Sequence, residues 1–399
     1  MYPAIIENVK ALFRAFEIKS IKKKTILLFL VLALIPLIVM RLVVYPKAQK
    51  ALQESLIQNL QSVGHKQAEL IKGWTAERKG DVRVFAENPF TLLATRITMD
   101  DKRFWRISRY THYIKYEYGY KDILISNAEG IVHVSTAKGK EGTNISEHEY
   151  FKKAMDGETF VSQIMPSNVP IANEWGKLEI GLPTMLVAAP ITDQNRIMGV
   201  ACFRVDVSEI SEFLRSVKLG KSGETYLINK QGYMITESRF VPYLKKAGLV
   251  KRGTTLELKL INPETGKLTK SVSECLKGDE GYDGDGYLDY RGVKVIGFWQ
   301  WIAELDWGII AEIDYEEGYQ EVIKLHRNVS TIMIIVTIGI IVFAFIMGQR
   351  MTAPILYLTD ATRRMSSGDL TQNVNINSKD ELGELANSFN MMARTIEKR

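Results

Sequence analysis

The chain has 399 residues, 46% apolar and 25% charged, with a formal net charge of +6. These proportions exclude a disordered or fibrous chain and leave room for two or three folded domains. The basic residues are scattered apart from one N-terminal cluster, so no nucleic-acid partner is expected.

Residues 25–45 (TILLFLVLALIPLIVMRLVVY) form an apolar run that, at about 1.5 Å per residue, crosses a hydrocarbon layer of roughly 30 Å. Arg41 near its end can snorkel to the interface. A cleaved signal peptide is the competing reading, but the run lies well inside the N-terminus and lacks a small-residue cleavage site. Lys10, Arg14, Lys19, Lys22, Lys23 and Lys24 precede it, which keeps residues 1–24 cytoplasmic and gives them anionic lipid as a partner.

Residues 46–88 are expected to form one long stalk helix. Apolar residues recur at Leu52, Leu56, Leu60, Val63, Leu70 and Trp74, and Asn88-Pro89 ends the pattern because the residue before proline is pushed out of the helical region. Such a helix reaches roughly 60 Å. Beyond it the chain changes to short β-branched runs with an internal repeat. Ile123, Leu124, Ile125 and Ser126 lead into Asn127-Ala128-Glu129-Gly130 and a second strand at 131–134, and Thr225, Tyr226, Leu227 and Ile228 lead into Asn229-Lys230-Gln231-Gly232 and a second strand at 233–235. Asparagine and glycine hold the same offsets in both, as positive φ requires. Strands at 199–206 and 308–314, each opening on glycine and closing on aspartate, end the two halves. The prediction is an α+β chain with two tandem modules on antiparallel sheets, a membrane-distal one at 89–215 and a membrane-proximal one at 216–328.

Residues 329–348 (VSTIMIIVTIGIIVFAFIMG) contain no charge and are bounded by His326, Arg327, Gln349 and Arg350, which makes a second span. Two crossings return the C-terminus to the cytoplasm and leave residues 46–328 outside it, so the chain is expected in the inner membrane as a two-pass protein. In 349–399, Ile355, Leu358, Thr362 and Met365, and again Leu382, Leu385, Phe389, Met392 and Ile396, follow coiled-coil spacing. Ser367-Gly368-Asp369 breaks the first helix, and Leu370, Val374 and Ile376 are spaced to pack back on it. Two such helices cannot bury their own seams, so a homodimer is expected.

Several features carry a sharper and a plainer reading. Cys202 and Cys275 fall in different modules without framework spacing, and no disulfide is expected. Asp283-Gly284-Asp285-Gly286 looks like a calcium loop, but Tyr287 and Lys294 stand where ligands are needed, and a plain turn is expected. His65, His112, His133, His148 and His326 lack zinc spacing, so no metal and no cofactor are predicted. Phe298, Trp299, Trp301 and Trp307 are expected to form a packed sheet face rather than an aromatic cage.

The cytoplasmic end resembles a HAMP domain, in Pro354 after the span, the Gly368-Asp369-Leu370 connector, and Asp380-Glu381-Leu382-Gly383-Glu384-Leu385 opening the second helix. The exported region resembles a double Cache sensor, in Tyr120-Lys121-Asp122-Ile123, Gly142-Thr143-Asn144-Ile145-Ser146, Glu149-Tyr150-Phe151, Val187-Ala188-Ala189-Pro190 and the strand at 199–206. The resemblance implies PAS-like modules, a small-molecule ligand in the distal module, and signal relay through Pro354, Gly368, Leu370 and Glu381. Receptors of this kind that bind amino acids carry Arg-x-Trp-Tyr where this chain reads His148-Glu149-Tyr150-Phe151. The arginine that pairs the ligand carboxylate is missing there, while the closing aspartate remains as Asp206, so the expected ligand is cationic, amine-bearing or neutral and polar.

Asp206 reads either as a ligand carboxylate or as a cap for the helix at 207–208, Tyr150 as a pocket wall or as core, and His148 as a titrating contact or a surface residue. Phe151 goes with Tyr150. No kinase, cyclase or phosphatase motif is present, so the chain reads as the non-enzymatic input half of a receptor. The competing classes are a membrane-anchored protein that binds a partner protein and, more weakly, a transporter.

Overall fold

The computed structural model describes residues 20–98, 100–173, 175–369, 373–378 and 380–397, so Lys10, Arg14, Lys19 and Leu370 lie outside the described residues. The chain divides into two units, Gln53–Gln320 and a second made of Met1–Leu52 with Glu321–Arg399.

Helix α1 (Ile21–Val39) passes through a π turn (Met40–Val44) into α2 (Tyr45–Ala86). Pro46 has no N–H to give the helical ladder, and the turn just before it, where Tyr45 N–H reaches back to Met40 O, takes up the lost register. In the sensor unit α2 buries Leu60, Ala68, Ile71, Trp74, Val82 and Phe85 along one stripe. Leu70 is exposed, one residue off that stripe. Gly64 lets the helix lie close to the strand that carries Phe298: a Cβ there would fall 2.4 Å from Phe298 Cδ1. Asn88 caps α3 (Pro89–Ala94), its Oδ1 accepting from Phe90 N at 2.9 Å, and α4 (Phe104–Glu117) follows.

The distal sheet comprises β1 (Asp122–Asn127), β2 (Val132–Ser135), β3 (Phe160–Val161), β4 (Met165–Pro166), β7 (Pro183–Asp193) and β8 (Arg196–Asp206). Its order is β2-β1-β8-β7-β3, all antiparallel, with β4 also on β7. Helix α5 (Glu149–Met155) precedes β3, and a small ribbon of β5 (Ile171–Ala172) and β6 (Leu178–Glu179) stands before β7. One sheet face, with Ile123, Ile125, Val187, Phe203 and Val205, packs on α2, α3 and α4; the other, with Leu124, Leu186, Ala188 and Cys202, faces α5.

Helix α6 (Ser208–Ser216) leads to the proximal module, which holds β9 (Glu224–Ile228), α7 (Val241–Lys246), α8 (Lys270–Cys275), β10 (Gly281–Leu288), β11 (Lys294–Ile302) and β12 (Trp307–Asp314) in the order β10-β11-β12-β9. The predicted duplication is visible as geometry. Ile131 N donates to Asn127 Oδ1 (2.8 Å) with Gly130 at φ 82°, and Tyr233 N donates to Asn229 Oδ1 (2.9 Å) with Gly232 at φ 77°. The second hairpin is shorter: Met234 bridges Ile228 and Ile235 N bonds Leu227 O, while Met234 also exchanges backbone bonds with Leu258 and Leu256 on its other side.

Two expectations are corrected. Asp283-Gly284-Asp285-Gly286 lies within β10 as a bulge, not in a turn; Asp283 Oδ1 accepts from the N–H groups of Asp285 and Gly286 while its other oxygen pairs with Lys270. The tryptophans do not share one face. Strand alternation turns Trp299 toward Tyr287 in the proximal core, whereas Trp307 joins the larger cluster and donates to Gln163 Oε1 (3.0 Å) of the distal module. Cys202 and Cys275 are buried free thiols.

Helix α9 (Tyr315–Gly318) precedes α10 (Gln320–Ser366), which contains Pro354, and α11 (Glu381–Glu397) closes the described fold. Among the described residues two helices are long and apolar enough to cross a membrane. In their unit Phe29 meets Phe343 edge-on at 6.2 Å, Ile26 fills the space over Gly348, and the Tyr45 hydroxyl bonds His326 Nδ1 at 2.8 Å. Gly368 (φ 98°) ends α10, and Val374 packs with Leu358, Ala361, Ala386 and Phe389, tied to α11 by two 2.8 Å bonds with the Asn390 carboxamide. Ile355, Leu385, Met392 and Ile396 of the same seams remain exposed, since one chain supplies only two helices.

Candidate functional site

The distal face toward α5 is unusual for a central sheet because polar side chains interrupt it. Alternation along β8 places Cys202, Arg204 and Asp206 on this face, and the register sets Asp122 of β1 and Leu186 of β7 on either side of Arg204, with Thr184 beside Asp206. Arg204 and Asp122 are only 5% and 2% exposed. Arg204 Nη1 donates to Thr184 Oγ1 (3.1 Å) and Nη2 to Asn168 Oδ1 (2.9 Å). Asp122 accepts from Thr136 Oγ1 (2.8 Å) and Ser135 Oγ (3.4 Å).

Asp206 caps the following helix and pairs with a lysine of the neighbouring strand's edge. Oδ1 accepts from Ser208 N (2.9 Å) at the start of α6, and Oδ2 pairs with Lys121 Nζ at 2.7 Å. Burial pushes its carboxyl up, but Lys121 and Ser208 outweigh that and hold it below the usual range. Tyr150, on α5, is buried within the cluster of Leu124, Leu186 and Cys202, and burial raises its phenol well above the ordinary value. His148 is exposed and stacks on Tyr150 with ring centroids 5.3 Å apart. Phe151 is buried in the same cluster. The fold thus brings Tyr150 and His148 together and places Asp206 on the same sheet face. Arg204 and Asp122 were missed because each sits in a strand that otherwise reads as apolar. The available signal was a charge at an inward position of a period-2 run.

The proximal module holds a second polar nucleus. Glu312, directly opposite Glu224 in the β12–β9 ladder, accepts from Tyr226 Oη (2.8 Å), Tyr287 Oη (2.6 Å) and Ser271 Oγ (2.8 Å). Glu224 accepts from Ser238 Oγ (2.7 Å) and the Tyr290 hydroxyl. Burial, then the charge of Asp289, pushes Glu312 up to about 7 against those hydrogen bonds. Every acceptor here is matched by a hydroxyl donor, as in a sealed structural network.

A two-module exported sensor, helices able to cross a membrane, and a broken helical pair after the second define a transmembrane signal receptor. The chain belongs to the Cache domain family, whose profile matches residues 48–322, and a HAMP domain profile matches residues 346–398. It is a two-pass receptor of the inner membrane with its Cache sensor on the outer side. Among similar proteins, methyl-accepting chemotaxis protein McpA of Bacillus subtilis is 23% identical over 394 residues, covering 97% of this chain and 53% of the relative. Protein IcfG of Synechocystis is 23% identical over 303 residues, covering 71% and 41%. The chain thus spans about half the length of the relatives it matches. The ligand-binding domain of the Campylobacter jejuni chemoreceptor Tlp3, solved with 4-methylisoleucine, overlaps 68% of this chain and 96% of that one at a TM-score of 0.48 and 11% identity.

Proposed function

We propose that the distal module is the sensing half, that a small polar molecule binds between the β1, β8 and β7 face and the layer that includes α5 and the segment carrying Asn168, and that a homodimer passes the change to the HAMP helices. The observation that carries this reading is the set of buried polar side chains Asp122, Arg204 and Thr184 on a face covered by a short helix and the segment carrying Asn168. Tyr150 and His148 form one wall, Phe151 supports them, and Asp206 with Lys121 supplies a charged edge. The dimer is supported by Ile355, Leu385, Met392 and Ile396, apolar seam residues left uncovered by one chain. Repacking of four helices is then the output motion, with Pro354, Gly368 and Glu381, and Leu370 beyond the described residues, as relay positions. The chemotaxis relatives favour a methyl-accepting signalling helix over an enzyme as the partner region.

The test is thermal unfolding of the full chain in nanodiscs against a metabolite panel. Ligand at a hundredfold over its dissociation constant stabilises by about 2.7 kcal/mol, or roughly 5–10 °C for a domain this size. A panel spanning acids, amines and neutral polar compounds that moves the midpoint nowhere would sink the reading. A partner-protein role is favoured by one feature, the exposed Trp105, Tyr113 and Tyr116 on α4.

A further inference from the structure

We propose that Arg204 is the anion-binding group of the distal module and that the molecule sensed carries a carboxylate. This deepens the small-molecule reading of that module and rests on it. Arg204 is 5% exposed, yet its guanidinium meets only neutral acceptors, Thr184 Oγ1 at 3.1 Å and Asn168 Oδ1 at 2.9 Å, while Nε has no partner. Arginine stays protonated and offers five donors, so a buried guanidinium without an opposite charge is strongly unfavourable. The nearest candidate inside the fold is Asp122, directly across the ladder, but its carboxylate is turned to the hydroxyls of Thr136 and Ser135. Among the described residues no ion pair neutralises Arg204, and the other charges of this face, Lys121 and Asp206, neutralise each other.

The arrangement also says where the missing charge enters. Asn168 is exposed and lies on the segment after β4, so its carboxamide is the movable side of the guanidinium's contacts. Replacing that neutral oxygen by a carboxylate presents two coplanar oxygens to the planar donor edge that includes the free Nε, which is the stronger pairing. Tyr150 packs in the cluster on the same sheet face as Arg204, and burial keeps its phenol neutral. One unpaired positive charge matches one carboxylate, and a phosphate dianion would leave a negative charge unmatched. The arginine absent at position 148 is thereby replaced from β8, which reverses the expectation of a cationic or neutral ligand.

The test uses the full chain in nanodiscs, titrated calorimetrically with acid and amide pairs: propionate and propionamide, alanine and alaninamide, succinate and succinamide, plus inorganic phosphate. At least one acid is expected to bind, more than about 10-fold tighter than its amide. Asn168→Asp, at an exposed position, places a carboxylate against Nη2 in the chain itself; it is expected to raise the unliganded melting temperature and weaken the acid more than about 10-fold. Arg204→Gln is expected to show the same loss, and if that buried variant fails to fold, Asn168→Asp decides alone. Equal binding of acid and amide, unchanged affinity in Asn168→Asp, no acid bound, or phosphate tighter than every acid overturns the proposal. A neutral or cationic metabolite binding the wild type and both variants alike overturns the role of Arg204 and leaves the sensor reading standing. A wider panel in which no metabolite of any charge binds overturns both.

Discussion

Glu312→Gln tests whether the sealed acid of the proximal module sets the pH dependence of sensor stability. Glu312 is 2% exposed and its carboxyl is pushed up from 4.5 to about 7, first by burial and then by the charge of Asp289. In the unfolded chain the same group ionises near its ordinary value. A raised carboxyl therefore contributes stability that is fully present below about pH 4.5 and is lost as pH rises through about 7. A shift of this size corresponds to on the order of 3 kcal/mol. For a domain of this length that is roughly 6–12 °C in melting temperature, most of it between pH 5 and 8. Glu224, its ladder partner, is raised as well, so the step belongs to the pair. Asp206, Asp283 and Glu317 are held low, and their contributions are lost only in more acidic solution, outside this window. Unfolding of the full chain followed by tryptophan fluorescence, to which Trp299, Trp301 and Trp307 contribute, reads the sensor unit. The wild type is expected to melt lower at pH 8 than at pH 5, and Glu312→Gln to flatten that slope. A variant whose curve runs parallel to the wild type across the window would refute the reasoning.

Gly64→Val drives a branched side chain into Phe298, and the clash is expected to exceed the gain in helix propensity, costing about 1–3 kcal/mol in chemical unfolding. Phe203→Ala empties a site where the ring lies 5.0 Å from Phe85 and 4.4 Å from Tyr120, with an expected loss of about 3–5 kcal/mol and a lower denaturant midpoint. Asn390→Ala removes both bonds to Val374, so the amide of Val374 is expected to exchange at least several-fold faster with deuterium while the sensor unit is unchanged.

Patterns that repeat locally were legible in the sequence. The helical stripe through Leu60 and Trp74, the Asn-to-Gly turns at 127–130 and 229–232, and the break at Gly368 follow from periodicity and from backbone angles that only certain residues favour. What escaped was pairing between distant strands. Nothing near Arg204 in the chain announces Asp122 or Asn168, and nothing near Glu312 announces Tyr226 or Glu224; register brings them together. The second set of partners of Met234 was also hidden, because Leu256 and Leu258 lie more than twenty residues on. Asp206 shows the middle case: its cap on Ser208 is local and was foreseen, whereas Lys121 reaches it from β1's edge.

The two cysteines give the sensor a pair of internal clocks. Cys202 lies in the distal module and Cys275 in the proximal one, each shut away from solvent with its thiol pushed up to about 12 by burial. A chain facing an oxidising space thus carries two sulfhydryls that an alkylating reagent reaches only when the surrounding half opens. Their separate modification rates would time the opening of each half in the intact receptor, and would tell whether occupancy of the outer half slows the breathing of the inner one.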